Sequence, residues 1–300
     1  MNSRARAMTR PPVIIIGMHR SGTSLLTRVL QQAGFFMGRD ASRNEEAAFT
    51  NAINAWLFRQ ASATWERPQS MDELLADTDL RPELVDYLEG IVRGPASARF
   101  LGPGRWLGAR GRGMFGQRQA WGWKDPRNTW TLPLWLELFP DARVLHIVRH
   151  GVDVAASLRS RRRQVVQTRL ERYHRHRWVY RLNPLAPKRR GFGPQPLCRR
   201  LEAGLDLWAE YMDRARGHLQ EIGPERALEL RYEDLLNHPH ETLARGLEFC
   251  GCAPDSEQVN DTAAGFRADR AGAWTRDEEL KSLAASHHEL LQQRGYSGRP

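Results

Sequence analysis

What the chain lacks narrows it first. No apolar run approaches the ~20 residues of a membrane-spanning helix; the compact run Val13–Ile16 is four residues long. The polar, arginine-bearing Met1–Arg10 is not followed by the apolar core of a signal peptide, so a cytoplasmic protein is the simplest expectation. Only three cysteines occur, Cys198, Cys250 and Cys252, two of them one residue apart. An odd number at that spacing suits neither a disulfide framework nor a zinc site, and reduced, structural thiols are expected. None of the ten histidines has ligand spacing with carboxylates or cysteines, so no metal is expected. Lysine is almost absent: Lys124, Lys188 and Lys281 stand beside 42 arginines. An arginine bias of that kind can arise from genome composition and says little alone.

What is there is ordinary in bulk and uneven in charge. Three hundred residues, 41% of them hydrophobic and 27% charged, suit one large α/β domain or two small ones. The net charge of +10 belongs to one segment. Between Arg159 and Arg200 fourteen Lys/Arg stand against the single acid Glu171, a local +13, so the remainder is slightly acidic. Asn183–Pro184, Pro187 and Gly191–Pro194 interrupt that segment, which reads as an insertion or lid at about 159–200.

The most informative stretch is Val13-Ile14-Ile15-Ile16-Gly17-Met18-His19-Arg20-Ser21-Gly22-Thr23-Ser24-Leu25-Leu26. Four β-branched residues predict a buried strand. The glycines and the amphipathic Ser24–Leu30 that follow predict a loop and a helix start, the geometry that aims backbone N–H groups at an anion. Gly17-x4-Gly22-Thr23-Ser24 has the spacing of a P-loop, with Thr23 where a nucleotide triphosphatase needs lysine. The absent lysine argues against ATP or GTP hydrolysis. Arg20 is then the cation and Thr23 and Ser24 the hydroxyl donors for a phosphate-like group.

Along the chain, residues 1–12 read as a disordered lead-in and 13–300 as a single domain. Helices are expected over Ser24–Gln32, Glu45–Gln60, Met71–Leu75, Arg81–Arg93, from a cap at Thr129 or Thr131 to Phe139, from Val152, over Leu201–Leu219, Pro239–Phe249 and Asp277–Gln293. Further strands are expected at Ala120–Lys124, Arg143–Val148 and Ala227–Tyr232, and Gly94–Gly116 reads as a mobile loop. Pro133 is read as lying in a helix's first turn. Repeated strand–loop–helix units imply an α/β fold, a P-loop-like three-layer α/β/α arrangement with a central parallel sheet and sites at the strand C-terminal ends. Arg149 closes the third strand and Ser157 lies eight residues on. A phosphate there would meet a guanidinium fork, a hydroxyl and a helix N-terminus.

These motifs together resemble the sulfotransferases that use 3′-phosphoadenosine 5′-phosphosulfate (PAPS). Gly17–Ser24 resembles their lysine-free 5′-phosphosulfate loop, and Arg149 with Ser157 matches the arginine–serine spacing of their 3′-phosphate site. Trp121-Gly122-Trp123-Lys124-Asp125-Pro126-Arg127 and Arg231-Tyr232-Glu233-Asp234-Leu235 resemble segments of the bacterial carbohydrate- or tyrosylprotein-directed branch. The match covers roughly 13–35, 120–160 and 227–250. The resemblance implies in-line transfer of a sulfuryl group from PAPS, without a metal, to an acceptor hydroxyl, with a glycan or glycolipid expected and a tyrosine or small molecule as alternatives. It implies that Arg20, Ser21, Gly22, Thr23 and Ser24 hold the 5′-phosphate, that His19 faces either the sulfonate or solvent, and that Lys124 stabilises the leaving bridging oxygen. Glu45, Glu46 and Asp125 are the base candidates, each with a structural alternative, and Thr50 stands where an acid is expected. Tyr232 either touches the nucleotide or is a core tyrosine. Arg267 and Arg270 resemble a C-terminal segment that closes over the 3′-phosphate.

Two other classes share parts of the pattern. A small-molecule P-loop kinase should keep the loop lysine and an acidic magnesium ligand, and neither is evident. A nucleic-acid or anionic-surface binding protein would use the 159–200 segment, where Tyr173, Trp178 and Tyr180 interleave with arginines. Within the sulfotransferase reading, that segment would guide an acidic glycan or lipid-linked acceptor, and nucleic acid is not the expected partner.

Overall fold

The computed structural model describes residues 9–40, 44–182, 197–253, 256–266 and 270–298. Residues 1–8 of the expected lead-in 1–12, the Pro/Gly-rich stretch 183–196 and Arg267 lie outside the described residues. Four parallel strands, β1 (Val13–Ile16), β2 (Gly122–Lys124), β3 (Arg143–Val148) and β4 (Ala227–Arg231), form one sheet in the order β2-β1-β3-β4. Register is set by Ile15 beside Lys124, Ile16 beside His146, and Val148 beside Arg231. Because β1 lies between β2 and β3, the chain leaves it to one side and later returns to the other. Ligand crevices in such sheets open at the strand carboxyl ends near that reversal.

The helices are α1 (Thr23–Gln32), α2 (Ala48–Gln60), α3 (Met71–Ala76), α4 (Leu80–Arg93), α5 (Ala98–Leu101), α6 (Pro103–Gly108), α7 (Asn128–Leu138), α8 (Gly151–Arg175), α9 (Arg177–Arg181), α10 (Leu201–Ile222), α11 (Tyr232–Asn237), α12 (Pro239–Phe249), α13 (Ser256–Ala264), α14 (Glu278–Ser286) and α15 (His288–Gln293). Two compact units emerge: residues 1–149 with 211–271, and residues 150–210 with 272–300. The first unit holds the whole sheet. Strand side chains alternate faces. Val13 and Ile15 pack with Leu26, Val29 and Leu30 of α1 and with Leu235, Leu243 and Leu247 of α11 and α12. On β2, Trp123 packs on Trp135 of α7 with ring centroids 4.9 Å apart. Among the described residues no helix is long and apolar enough to cross a membrane.

Five elements depart from expectation. The second helix begins at Ala48, so Glu45 and Glu46 precede it; Glu45 takes a left-handed φ of 58° and Glu46 turns to Lys124. Gly94–Gly116 is a chain of short helical turns, fastened because Phe100 and Met114 are fully buried. Tyr232 opens α11 instead of ending β4. The C-terminal helix breaks at His287 into α14 and α15. Neither Thr129 nor Thr131 caps α7; both lie inside it, and Pro133 is its sixth residue.

A proline there removes the N–H that would bond the carbonyl four residues back. That carbonyl belongs to Thr129, and His218 of α10 supplies the missing donor, its Nε2 3.1 Å away. Burial, then the Arg214 charge, pushes the His218 pKa down from 6.5 to about 4. The unfolded chain therefore takes up this proton near pH 6.5 and the folded chain only near 4. Stability is full above about pH 6.5 and falls by up to ~3 kcal/mol as pH drops towards 4. Urea midpoints at pH 7 and pH 5 should show this fall, and His218→Gln, which keeps a donor, should flatten it. An equal slope in both proteins would discount His218 as its source.

Candidate functional site

The ends of all four strands carry the residues that the sequence singles out. In sheet order these are Lys124 closing β2, the Gly17–Gly22 loop after β1, Arg149 after β3, and Tyr232 after β4. The loop is shaped by two glycines that nothing larger can replace. Gly17 has φ 135°, and a Cβ there would lie 2.6 Å from the Ile147 carbonyl oxygen. Gly22 has φ 105°, and a Cβ would lie 2.4 Å from Cδ2 of Tyr232. The Gly17 N–H donates to Thr129 Oγ1 at 3.1 Å, so α7 anchors the loop from beneath. Ser21 is buried and its hydroxyl donates to the Met18 carbonyl at 2.7 Å. Arg20 is exposed with a left-handed φ of 76°, a conformation that costs a non-glycine residue energy and often marks a ligand-holding turn. The His19 ring meets Trp65 at 4.5 Å between centroids. Helix α1 starts at Thr23, with the Leu25 and Leu26 N–H groups donating to the Gly22 carbonyl at 2.9 and 3.2 Å.

Lys124 is 2% exposed. Its ammonium donates to the Asn44 carbonyl at 2.5 Å, to Glu46 Oε1 at 3.1 Å and to Ser24 Oγ at 3.3 Å. Ser24 Oγ in turn donates to Asn44 O at 2.8 Å. All three ammonium donors are thus used. Burial lowers the Lys124 pKa below its usual 10.5, opposed chiefly by Glu46. Glu46 Oε2 also accepts from Asn51 at 2.8 Å. Glu45 stands 4.0 Å from the Arg28 guanidinium, and its charge acts on Lys124 less than that of Glu46. Thr50 is buried and donates back to the Ala47 carbonyl at 3.3 Å.

Asp125 is fully buried and accepts from the Arg127 N–H at 2.9 Å, from Arg127 Nε and Nη2 at 3.2 and 3.0 Å, and from Asn54 Nδ2 at 3.0 Å. Asn54 is a hub that sequence reading missed. It also donates to Asn128 at 2.8 Å and accepts from Thr131 and Trp135, each at 2.9 Å. Asn128 reaches the Ile15 carbonyl at 3.1 Å. Helix α2, the β2 end, α7 and β1 are therefore tied by one buried network, and no local pattern around Asn54 announces it.

At the other side of the loop, the Arg149 guanidinium lies over the Tyr232 ring, 4.6 Å from its centroid, and donates to the Arg270 carbonyl at 2.9 Å. Arg270 enters this cluster through its backbone; its side chain is exposed. Tyr232 is 5% exposed, with one edge against Gly22 and its face under Arg149. Ser157 belongs to the second unit, half-buried in the second turn of α8. In that unit His150 caps α8, its Nδ1 accepting from the Val152 N–H, and stacks on Trp274 at 4.7 Å between centroids.

A lysine-free glycine loop, a buried ammonium beside the following helix start and an arginine at the next strand end stand in a row along the strand ends. Comparison with known proteins finds sulfotransferases of similar sequence and fold. An omega-hydroxy-beta-dihydromenaquinone-9 sulfotransferase, Stf3, of Mycobacterium bovis is 26% identical over 185 residues, 58% of this chain and 40% of that protein. Its Mycobacterium tuberculosis counterpart matches to the same extent. The chain thus spans about two fifths of the length of the curated relatives it matches. Among solved structures, the sulfotransferase domain from the curacin biosynthetic pathway aligns over 97% of this chain and all of that one, at 15% identity and a TM-score of 0.51, a likeness of fold. The sulfotransferase family model matches residues 11–256, and the chain belongs to the sulfotransferase family.

Proposed function

We propose that the protein transfers a sulfuryl group from PAPS to an acceptor hydroxyl, and that Lys124 is the residue on which the chemistry turns. The observation that carries this is its buried ammonium, held within hydrogen-bond reach of Ser24 in the first turn of α1. A charge there lies where a group bound on the loop would leave, and low-dielectric surroundings strengthen its effect. Fit to the donor is supported by the cradle at Gly17 and Gly22, where any Cβ would collide with backbone or ring. The loop amides with Arg20 and Thr23 would hold the 5′-phosphosulfate, with His19 at its rim; the Ser21 and Ser24 hydroxyls, which donate to the Met18 and Asn44 carbonyls, would have to turn to join them. Arg149, aligned by Tyr232 and the Arg270 carbonyl, would take the 3′-phosphate.

Glu46 is the base we favour. It is the acid in contact with Lys124 and its side chain keeps 16% exposure. Asp125, with four hydrogen bonds from Arg127 and Asn54, acts as a structural anchor in this reading, and Glu45 as a surface partner of Arg28. The acceptor we favour is a glycan or glycolipid hydroxyl. A second reading, the terminal hydroxyl of an apolar lipid, is favoured by the named substrate of the mycobacterial relatives.

The test is titration with 3′-phosphoadenosine 5′-phosphate against ATP, followed by transfer of labelled sulfate to glycans, hydroxylated lipids and tyrosine peptides. Binding of the bisphosphate at least about tenfold tighter than ATP is expected, from the second anion site alone. Equal or tighter ATP binding would overturn the donor assignment.

A further inference from the structure

The second unit carries a surface that the sulfuryl-transfer reading does not use. The first turns of α8 are buried through Val152, Val154, Ala155 and Leu158. From Ser160 onward no described residue of α8 or α9 is buried. This stretch exposes Arg161, Arg163, Arg169, Arg172, Arg175, Arg177 and Arg181. Arg159 is excluded from that set, because its guanidinium pairs with Glu279 at 2.6 and 2.7 Å. Among the described residues, no ion pair engages the seven exposed arginines. The one acid on the stretch, Glu171, is held by Gln167 at 3.0 Å.

Large apolar side chains stand among these charges. Leu170 is 40% exposed, Trp178 65% and Leu182 69%. They are three of the six large hydrophobic residues exposed among the described residues. Unpaired arginines explain attraction to any polyanion, and exposed aliphatic side chains decide between polyanions. Leucines gain nothing from phosphates or base faces in water, whereas they gain by entering the acyl boundary of a bilayer. Tryptophan settles at headgroup depth, and arginine reaches lipid phosphates with its stem still in apolar surroundings.

We infer that α8 beyond Ser160, together with α9, is a peripheral docking surface for anionic phospholipid bilayers. Arginine–phosphate attraction brings the helices to the surface, and Leu170, Trp178 and Leu182 seat them in it. The inference holds for any acceptor, since it concerns attachment and not chemistry.

The experiment is co-sedimentation of the full chain with phosphatidylcholine vesicles, with and without phosphatidylglycerol, in the absence of donor and acceptor. Binding at least about tenfold tighter to the anionic vesicles is expected, weakened strongly by added salt. Arg169→Glu with Arg172→Glu and Arg175→Glu should lower that binding about tenfold or more. Trp178→Ala with Leu182→Ala should lower it about tenfold with its salt dependence unchanged. All five positions are exposed, so circular dichroism should show the fold intact. Equal binding to both vesicle types overturns the inference. So does single-stranded RNA that displaces the protein from vesicles with an affinity untouched by Trp178→Ala and Leu182→Ala.

Discussion

Replacing Lys124 with methionine is expected to lower kcat by about 100- to 1000-fold while affinity for 3′-phosphoadenosine 5′-phosphate stays within about threefold. The ammonium touches Ser24, Asn44 and Glu46, and none of these contacts reaches the Arg149 side of the row. In the proposed reaction its charge matters when the bridging oxygen gains charge, so its loss is felt in the transition state more than in binding. Methionine fills the buried stem's volume, and Glu46 keeps Asn51 as a donor, which limits the structural damage. Lys124→Arg should not restore activity. A planar guanidinium needs a wider socket than the one formed by an Asn44 carbonyl at 2.5 Å. Burial lowers the Lys124 pKa, so the alkaline fall of kcat should come below the ordinary lysine range. Steady-state kinetics and calorimetry check these outcomes together. A variant that keeps its kcat, or loses bisphosphate affinity as steeply as kcat, would remove Lys124 from its assigned role.

The second large effect is on folding. Asn54→Leu should destabilise the protein by about 3–5 kcal/mol, although the residue is near leucine in size. The carboxamide is fully used, with two donors to Asp125 and Asn128 and two acceptances from Thr131 and Trp135. Its removal leaves several buried polar groups short of a partner at once, each worth about 1–3 kcal/mol when orphaned. Asn54→Asp should also destabilise, because a second carboxylate would stand where an amide now donates to Asp125 at 3.0 Å. Its deficit should shrink at acidic pH, where one of the pair holds a proton. Urea unfolding of the three proteins measures both. A cost near 1 kcal/mol for Asn54→Leu would mean that the network relaxes around the gap.

The parts legible in the sequence are those whose cause is local. Val13–Ile16 must be a buried strand because four β-branched residues stand in a row, and the spacing of Gly17 and Gly22 defines the loop after it. The parallel sheet follows from repeated strand–loop–helix units. What escaped was fixed by partners far away in the chain. The second helix starts late because Glu46 is drawn to Lys124, 78 positions on. Pro133 sits mid-helix because His218, 89 positions beyond Thr129, supplies the donor that proline lacks. Asn54 is an unremarkable residue between Ile53 and Ala55 until Asp125 and Asn128 reach it. Propensity reports a residue's own preferences, and these three cases depend on a neighbour's.

One ring links two parts of the site. Tyr232 stands edge-on to Gly22 and face-on to the Arg149 guanidinium, so its thickness and width set the gap between glycine loop and arginine. The phenol acts as a gauge block. A molecule grasped at both ends must carry its two anions at a separation written by a side chain that need touch neither. On the proposed reading, selection among nucleotides by length, and not by charge alone, would be built into the packing of one core residue.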